Sequence, residues 1–173
     1  AVKKAYGDTS FGKGCLVARR LVDVGVRSFE VNLSGFDSHV SNHEGHITQT
    51  KILDPAIATL LTEIRERDLL DSTILLCMSV FGRTPSINPA GGRDHWPRVG
   101  GALLAGGGFR TGQVIGATDK LGGEPTERPV HFGEVFASLY QFMGIDTVKT
   151  TLNDLTGRPQ YLTDSWQPMP ELI

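Results

Sequence analysis

Asp37 and His39 stand two residues apart in Gly35-Phe36-Asp37-Ser38-His39-Val40-Ser41-Asn42-His43-Glu44-Gly45-His46, a loop that holds three of the chain's five histidines. In an extended segment residues i and i+2 point to the same side, so this pair can offer a carboxylate oxygen and an imidazole nitrogen to one cation. Such nitrogen and oxygen donors suit Zn²⁺, Mn²⁺ or Fe²⁺ better than Ca²⁺. The plainer alternative is a solvated polar loop in which Asp37 caps a turn. His43 and His46 would share a face of a following helix, but histidines in a first helical turn are usually exposed, and both read as surface residues. Asn42 reads equally as a helix N-cap.

Two further segments carry candidate groups. Phe81-Gly82-Arg83-Thr84-Pro85 presents Arg83, whose guanidinium fork could clamp a phosphate, sulfate or carboxylate; the alternative is an ion pair to Asp94 or Glu44 that holds loops together. Arg93-Asp94-His95-Trp96-Pro97 flanks a histidine with a carboxylate and an indole. His95 could be a third metal ligand or a general acid/base, with Asp94 fixing a loop or orienting a ligand; otherwise Trp96-Pro97 anchors the loop and His95 is a bystander. Gly106-Gly107-Gly108 lacks the spacing of a phosphate-binding loop and reads as a tight turn. No serine sits in a Gly-x-Ser-x-Gly elbow, so a nucleophile cannot be named.

The elements that must position these groups follow from periodicity. Thr9 or Ser10 can cap a helix of about four turns carrying Leu16, Val17, Leu21 and Val24, with Gly25 as its left-handed terminator. Val26 to Leu33 is rich in β-branched and aromatic residues and is expected to be a strand. Ile52, Ile57, Leu60, Leu61 and Ile64 define a second amphipathic helix, expected to begin near Leu53 or Asp54 because Pro55 fits a first turn. Thr73 to Met78 is a continuous apolar run of the kind buried on both faces of a parallel sheet. Helix, strand, helix, strand is an α/β pattern, and it places the Asp37 loop and Arg83 at one sheet edge. Ala102-Leu103-Leu104-Ala105 and Gln113-Val114-Ile115-Gly116 are expected to be strands of a ribbon. The last helix is expected over roughly His131 to Met143, with residues 158–173 a surface tail.

At 173 residues the chain fits one domain with a real core. A formal charge of -2 gives no field to attract nucleic acid or anionic lipid. No apolar stretch approaches the roughly 20 residues of a membrane span. Cys15 and Cys77 form neither a disulfide framework nor a metal knuckle. A start at Ala1 rather than Met reads as a processed or truncated piece.

Taken together, Leu16 to Arg27, Gly35-Phe36-Asp37-Ser38-His39, Phe81-Gly82-Arg83-Thr84-Pro85, Gly92-Arg93-Asp94-His95-Trp96-Pro97, Ala105-Gly106-Gly107-Gly108, Gly116-Ala117-Thr118-Asp119 and Gly157-Arg158-Pro159 closely resemble the bacterial family called domain of unknown function 1501. That family resembles a branch of the alkaline phosphatase and sulfatase superfamily, and the resemblance implies a three-layer α/β/α sandwich with a mainly parallel sheet, acting on phosphate or sulfate esters with bound metal. It implies that Asp37 and His39 are a metal-ligand pair and His95 a late metal histidine. It also implies that the chain is the carboxyl-terminal portion of a longer protein, for which an exported or cell-envelope setting is expected. One position departs: the family usually has an acid before Phe-Gly-Arg-Thr-Pro, and here it is Val80, which neither binds metal nor transfers protons.

The expectation is therefore a metal-dependent hydrolase of small phosphate or sulfate esters, with Asp37, His39 and His95 holding one divalent ion such as Zn²⁺ or Mn²⁺ and with Arg83 and Asp94 as candidate catalytic residues. The rival is a non-catalytic binding or assembly domain that keeps the fold, motivated by Val80. A nucleotide-binding module is disfavoured, because no glycine fingerprint joins a strand to a helix.

Overall fold

The computed structural model describes residues 2–173 and divides into two compact units, one comprising the chain up to Thr73 together with Ser79–Gly101, the other Ile74–Met78 with Ala102–Ile173.

The first unit is built on helices. A short helix α1 (Val2–Ala5) leads to α2 (Ser10–Asp23), whose N-cap is Thr9, its side chain accepting from the Gly12 amide at 3.0 Å. Such a cap satisfies one of the orphan amides of the first turn. Gly25 takes a left-handed conformation just past the helix end, as expected. Helix α3 runs from Asn42 to Glu66, some eleven residues earlier than the expected start near Leu53 or Asp54, with Pro55 in its interior. Pro55 has no N–H to give its preceding turn. The helix nevertheless extends back to Asn42, because its first turn is tethered by other bonds described below. Helices α2 and α3 bury Phe11, Cys15, Leu16 and Ala18 against Ala56, Leu60 and Ile64, with Tyr6 fully buried beside them. The Tyr6 hydroxyl donates to Glu63 at 3.1 Å; burial first, and that carboxylate second, push its pKa up, so it remains a donor.

The second unit packs two antiparallel strands, β1 (Ile74–Met78) and a strand at Ala102–Gly106, in a register that places Leu76 opposite Leu104. Its core joins Phe109, Val135, Met169 and Leu172 to Ile74, Leu76, Leu104, Ile115 and Phe142. The helix at Phe132–Phe142 matches expectation closely. Its N-cap is His131, which accepts from the Gly133 amide through Nδ1 while Glu134 closes a capping box, and the Trp166 ring stacks on the imidazole at 3.9 Å. The tail expected on the surface instead brings Met169 and Leu172 into this core. It is tied there by the Met169 amide donating to Ser138 Oγ and by a two-pronged Arg128–Glu171 ion pair.

The expected three-layer α/β/α sandwich with a mainly parallel sheet is not what forms. Among the described residues every strand pair is antiparallel and every sheet two-stranded: besides the pair above, Gly82–Arg83 with His95–Trp96, Ala117–Thr118 with Pro125–Glu127, and Thr151–Asn153 with Pro159–Tyr161. Val26 to Leu33, expected as a strand, forms none: past the Val26 amide, which donates to Leu21, it makes no backbone hydrogen bond among the described residues. β-propensity reports how a side chain suits a pleated surface, and it makes no strand without a neighbour to bond. Gln113–Gly116 is not a strand either; the side chain of Gln113 donates to the carbonyls of Arg110 and Glu171.

Candidate metal and anion site

The site lies within the first unit and is assembled by backbone bonds rather than by a shared sheet edge. In chain order we call the pair at Gly82–Arg83 β2 and that at His95–Trp96 β3. Their register sets Arg83 opposite His95, which puts both side chains on one face. The loop between them folds back on the approach to α3: Val40 bridges Gly91, the Ser41 and Asn42 amides donate to Ala90 and Gly91, and the Arg93 amide donates to Ser38. These bonds tether the α3 start and carry Asp37 and His39 to β3.

Gly92 permits the approach. It is buried, and a Cβ there would lie 1.9 Å from the His39 carbonyl oxygen, closer than any side chain allows. Asn88 holds the two segments together: Nδ2 donates to the His39 carbonyl at 2.9 Å and to Asp94 at 3.3 Å, while Oδ1 accepts from the amides of Ala90 and Gly92. Arg93 clamps the loop through the carbonyls of Thr84 and Pro85 at 2.6 Å each.

Three donor atoms meet at the centre. Asp37 Oδ1 lies 3.0 Å from His39 Nε2 and 2.9 Å from His95 Nε2, and the two nitrogens are 3.1 Å apart. The three atoms therefore form a nearly equilateral triangle. Metal–donor bonds of about 2.0–2.2 Å set neighbouring donors about 3 Å apart in an octahedral shell and about 3.4 Å apart in a tetrahedral one, so the triangle is close to one face of such a shell. The side chains are 67%, 44% and 47% exposed for Asp37, His39 and His95, leaving the opposite face open to water or substrate.

The proton count sets the histidine tautomers. Asp94 Oδ1 lies 2.7 Å from His39 Nδ1, and an ionised carboxylate only accepts, so Nδ1 carries the hydrogen. The Nε2 lone pair of a neutral His39 then faces the carboxylate oxygen of Asp37 and the other ring nitrogen. Without a cation, a hydrogen on His95 Nε2 donates to the Asp37 oxygen, which only accepts; a bound cation would take that hydrogen's place. Asp94 holds the tautomer that ligation needs.

Both carboxylates are ionised at neutral pH. The hydrogen bond from Arg83 Nη2, 2.5 Å from Asp37 Oδ1, followed by that of His95, holds the Asp37 pKa down to about 2. The His39 hydrogen bond lowers that of Asp94. Arg83 also donates through Nη1 to the Arg93 carbonyl at 3.1 Å. It pairs with Asp37, and so with neither of the partners, Asp94 and Glu44, considered from the sequence. The Phe81 ring packs on His95 at 4.2 Å between centroids.

All five candidate residues, Asp37, His39, Arg83, Asp94 and His95, thus meet in one place. His43 and His46 do not join them; they line an open groove along α3 with Ile47 and Lys51. His46 meets the Asn42 carbonyl and the Phe36 ring. Sequence reasoning missed Asn88, Arg93 and Phe81. The dense turn formers of Pro85 to Gly92 were the signal for Asn88, since an asparagine there satisfies amides of its own turn.

The chain belongs to a protein family: over residues 1–173 it matches the family described as Protein of unknown function (DUF1501). No curated protein and no solved structure matches it. No helix among the described residues is long and apolar enough to cross a membrane.

Proposed function

We propose that this site binds one divalent metal ion through Asp37 Oδ1, His39 Nε2 and His95 Nε2, and that the loaded site acts on a small anionic phosphate or sulfate ester. The observation that carries the reading is the donor triangle, with edges of 2.9, 3.0 and 3.1 Å, one anionic and two neutral ligands, and an open side. A divalent ion bound there supplies Lewis-acid polarisation of an ester oxygen or activation of a water. The residues do the rest. Asp94 fixes the tautomer of His39, Phe81 limits rotation of the His95 ring, and Arg83 supplies a cation for the anionic group. The hydroxyls of Ser38 and Thr84 donate to the carbonyls of Phe36 and Ser86, and the nucleophile this reading invokes is a water.

Metal content and Zn²⁺ titration of the purified chain test it, with one ion bound per chain and binding abolished by both Asp37→Ala and His95→Ala; binding unaffected by either substitution refutes the site. A second reading, a binding domain without turnover, is favoured by Val80, which is apolar and 79% exposed where the family resemblance leads one to expect an acid. Ester turnover that disappears with His95→Ala would reject it.

A further inference from the structure

The metal-and-anion reading leaves one conflict, because Arg83 already occupies the oxygen a metal would use. Asp37 Oδ1 accepts from Arg83 Nη2 at 2.5 Å and is the same atom that both histidine nitrogens approach. A guanidinium and a metal ion drawn to the same oxygen repel each other, so a bound cation weakens the hold of Asp37 on Arg83. We propose that Arg83 is a latch: without metal it is held and neutralised by Asp37, and cation binding releases it to form an oxyanion subsite for a phosphate or sulfate group. This inference rests on the proposed metal site and adds an order of loading to it.

Three observations carry the latch. The Arg83 side chain is only 16% exposed, whereas Asp37 is 67% exposed, so the guanidinium is far more enclosed than the carboxylate that holds it. Its second nitrogen, Nη1, is bonded to the Arg93 carbonyl, which keeps the group in place after the Asp37 bond is lost. That carbonyl is itself fixed, because the Arg93 guanidinium is clamped to Thr84 and Pro85 and its amide to Ser38. A released Nη2 therefore stays beside the donor triangle, with its hydrogens directed at whatever anion enters.

Before loading, the site is closed to anions from both sides: the Asp37 charge repels them, and the Arg83 guanidinium is engaged. Cation and anion should then bind with positive coupling, and the coupling is reciprocal. An anion raises cation affinity by the same factor by which the cation raises anion affinity.

The experiment is a calorimetric titration of the folded chain with Zn²⁺ alone, sulfate alone, and each in the presence of the other, for the wild type and Arg83→Gln. Wild type should bind sulfate about tenfold or more tightly with Zn²⁺ than without, within the usual range of coupling. Arg83→Gln should bind Zn²⁺ alone more tightly than wild type, since a competitor for Asp37 is gone, and should lose most of the coupling to sulfate. Equal Zn²⁺ affinity in the two proteins, with unchanged coupling, overturns the latch while leaving the metal site intact. No stoichiometric Zn²⁺ binding to either folded protein overturns both. Should Arg83→Gln fail to fold, nitrogen NMR of the wild-type Arg83 side chain decides: its signals move on Zn²⁺ addition without sulfate if the latch opens, and unmoved signals in a Zn²⁺-loaded chain overturn it.

Discussion

Arg83 and His95 stand directly opposite each other in the β2–β3 pair, and both donate to a single oxygen of Asp37, 46 and 58 residues away in the chain. A two-residue strand pair thus does the work expected of a sheet edge. It delivers a cation and an imidazole to one carboxylate from the same face.

The Asp37 carboxyl should titrate with a midpoint at about 2, read from its carboxyl carbon by NMR. Its folded value lies below the unfolded reference of about 3.9. The stability it contributes is therefore complete above that reference and is lost as pH falls through about 2. Acid unfolding of Asp37→Asn should lack this component. A midpoint near the unfolded reference would show that the Arg83 and His95 contacts do not persist in solution.

Asp94→Asn should weaken Zn²⁺ binding about 10- to 100-fold while leaving the fold intact, because the neutral amide no longer enforces the His39 tautomer. Calorimetry gives the affinity and circular dichroism the fold. An unchanged affinity would remove Asp94 from the site.

Substituting Gly92 by alanine forces a methyl group onto the His39 carbonyl. Overpacking of this kind costs about 1–3 kcal/mol. Denaturant unfolding should show the loss, and Zn²⁺ affinity should fall with it, since the displaced carbonyl belongs to His39, a proposed ligand. Retained affinity in a destabilised protein would mean that the loop adjusts without moving His39.

His131→Ala should lower unfolding free energy by about 1 kcal/mol, the usual cost of losing an N-cap. His131→Asn should recover the cap but not the stacking on Trp166. Thermal melts of the three proteins, placing asparagine between histidine and alanine, would check the order.

Amides from Arg27 to Gly35 make no backbone hydrogen bond among the described residues. Their exchange with solvent deuterium should be as fast as that of a loop, against slow exchange at Leu60 and Ile64 in α3. Protection across Arg27 to Leu33 would reveal a strand partner.

The helices were legible because their signals are local. Thr9 caps α2, the apolar spacing of Ile57, Leu60, Leu61 and Ile64 marks α3, and His131 to Met143 bounds the last helix to within a residue. Where a decision depended on distant partners, pattern alone misled. Val26 to Leu33 has strand composition without a strand to bond, and Thr73 to Met78 reads as a parallel core strand yet pairs antiparallel with Ala102–Gly106. Pro55 marked no boundary, because the start of α3 is fixed by Ala90 and Gly91 instead. The residues that meet at the candidate site were singled out by type, whereas Asn88 and Arg93, which act through backbone carbonyls and amides, carry no signature of their own.

The donors of the site come from two segments far apart along the chain, His39 and His95 being 56 residues distant. A cation gripping both would therefore be a cross-link, closing a long loop that is free in the unfolded chain. Closure of such a loop removes conformational entropy from the unfolded ensemble and so favours the native state. Loading the site would in this way secure the connection between the approach to α3 and β3, and the thermal stability of the unit would report on occupancy even with no substrate present.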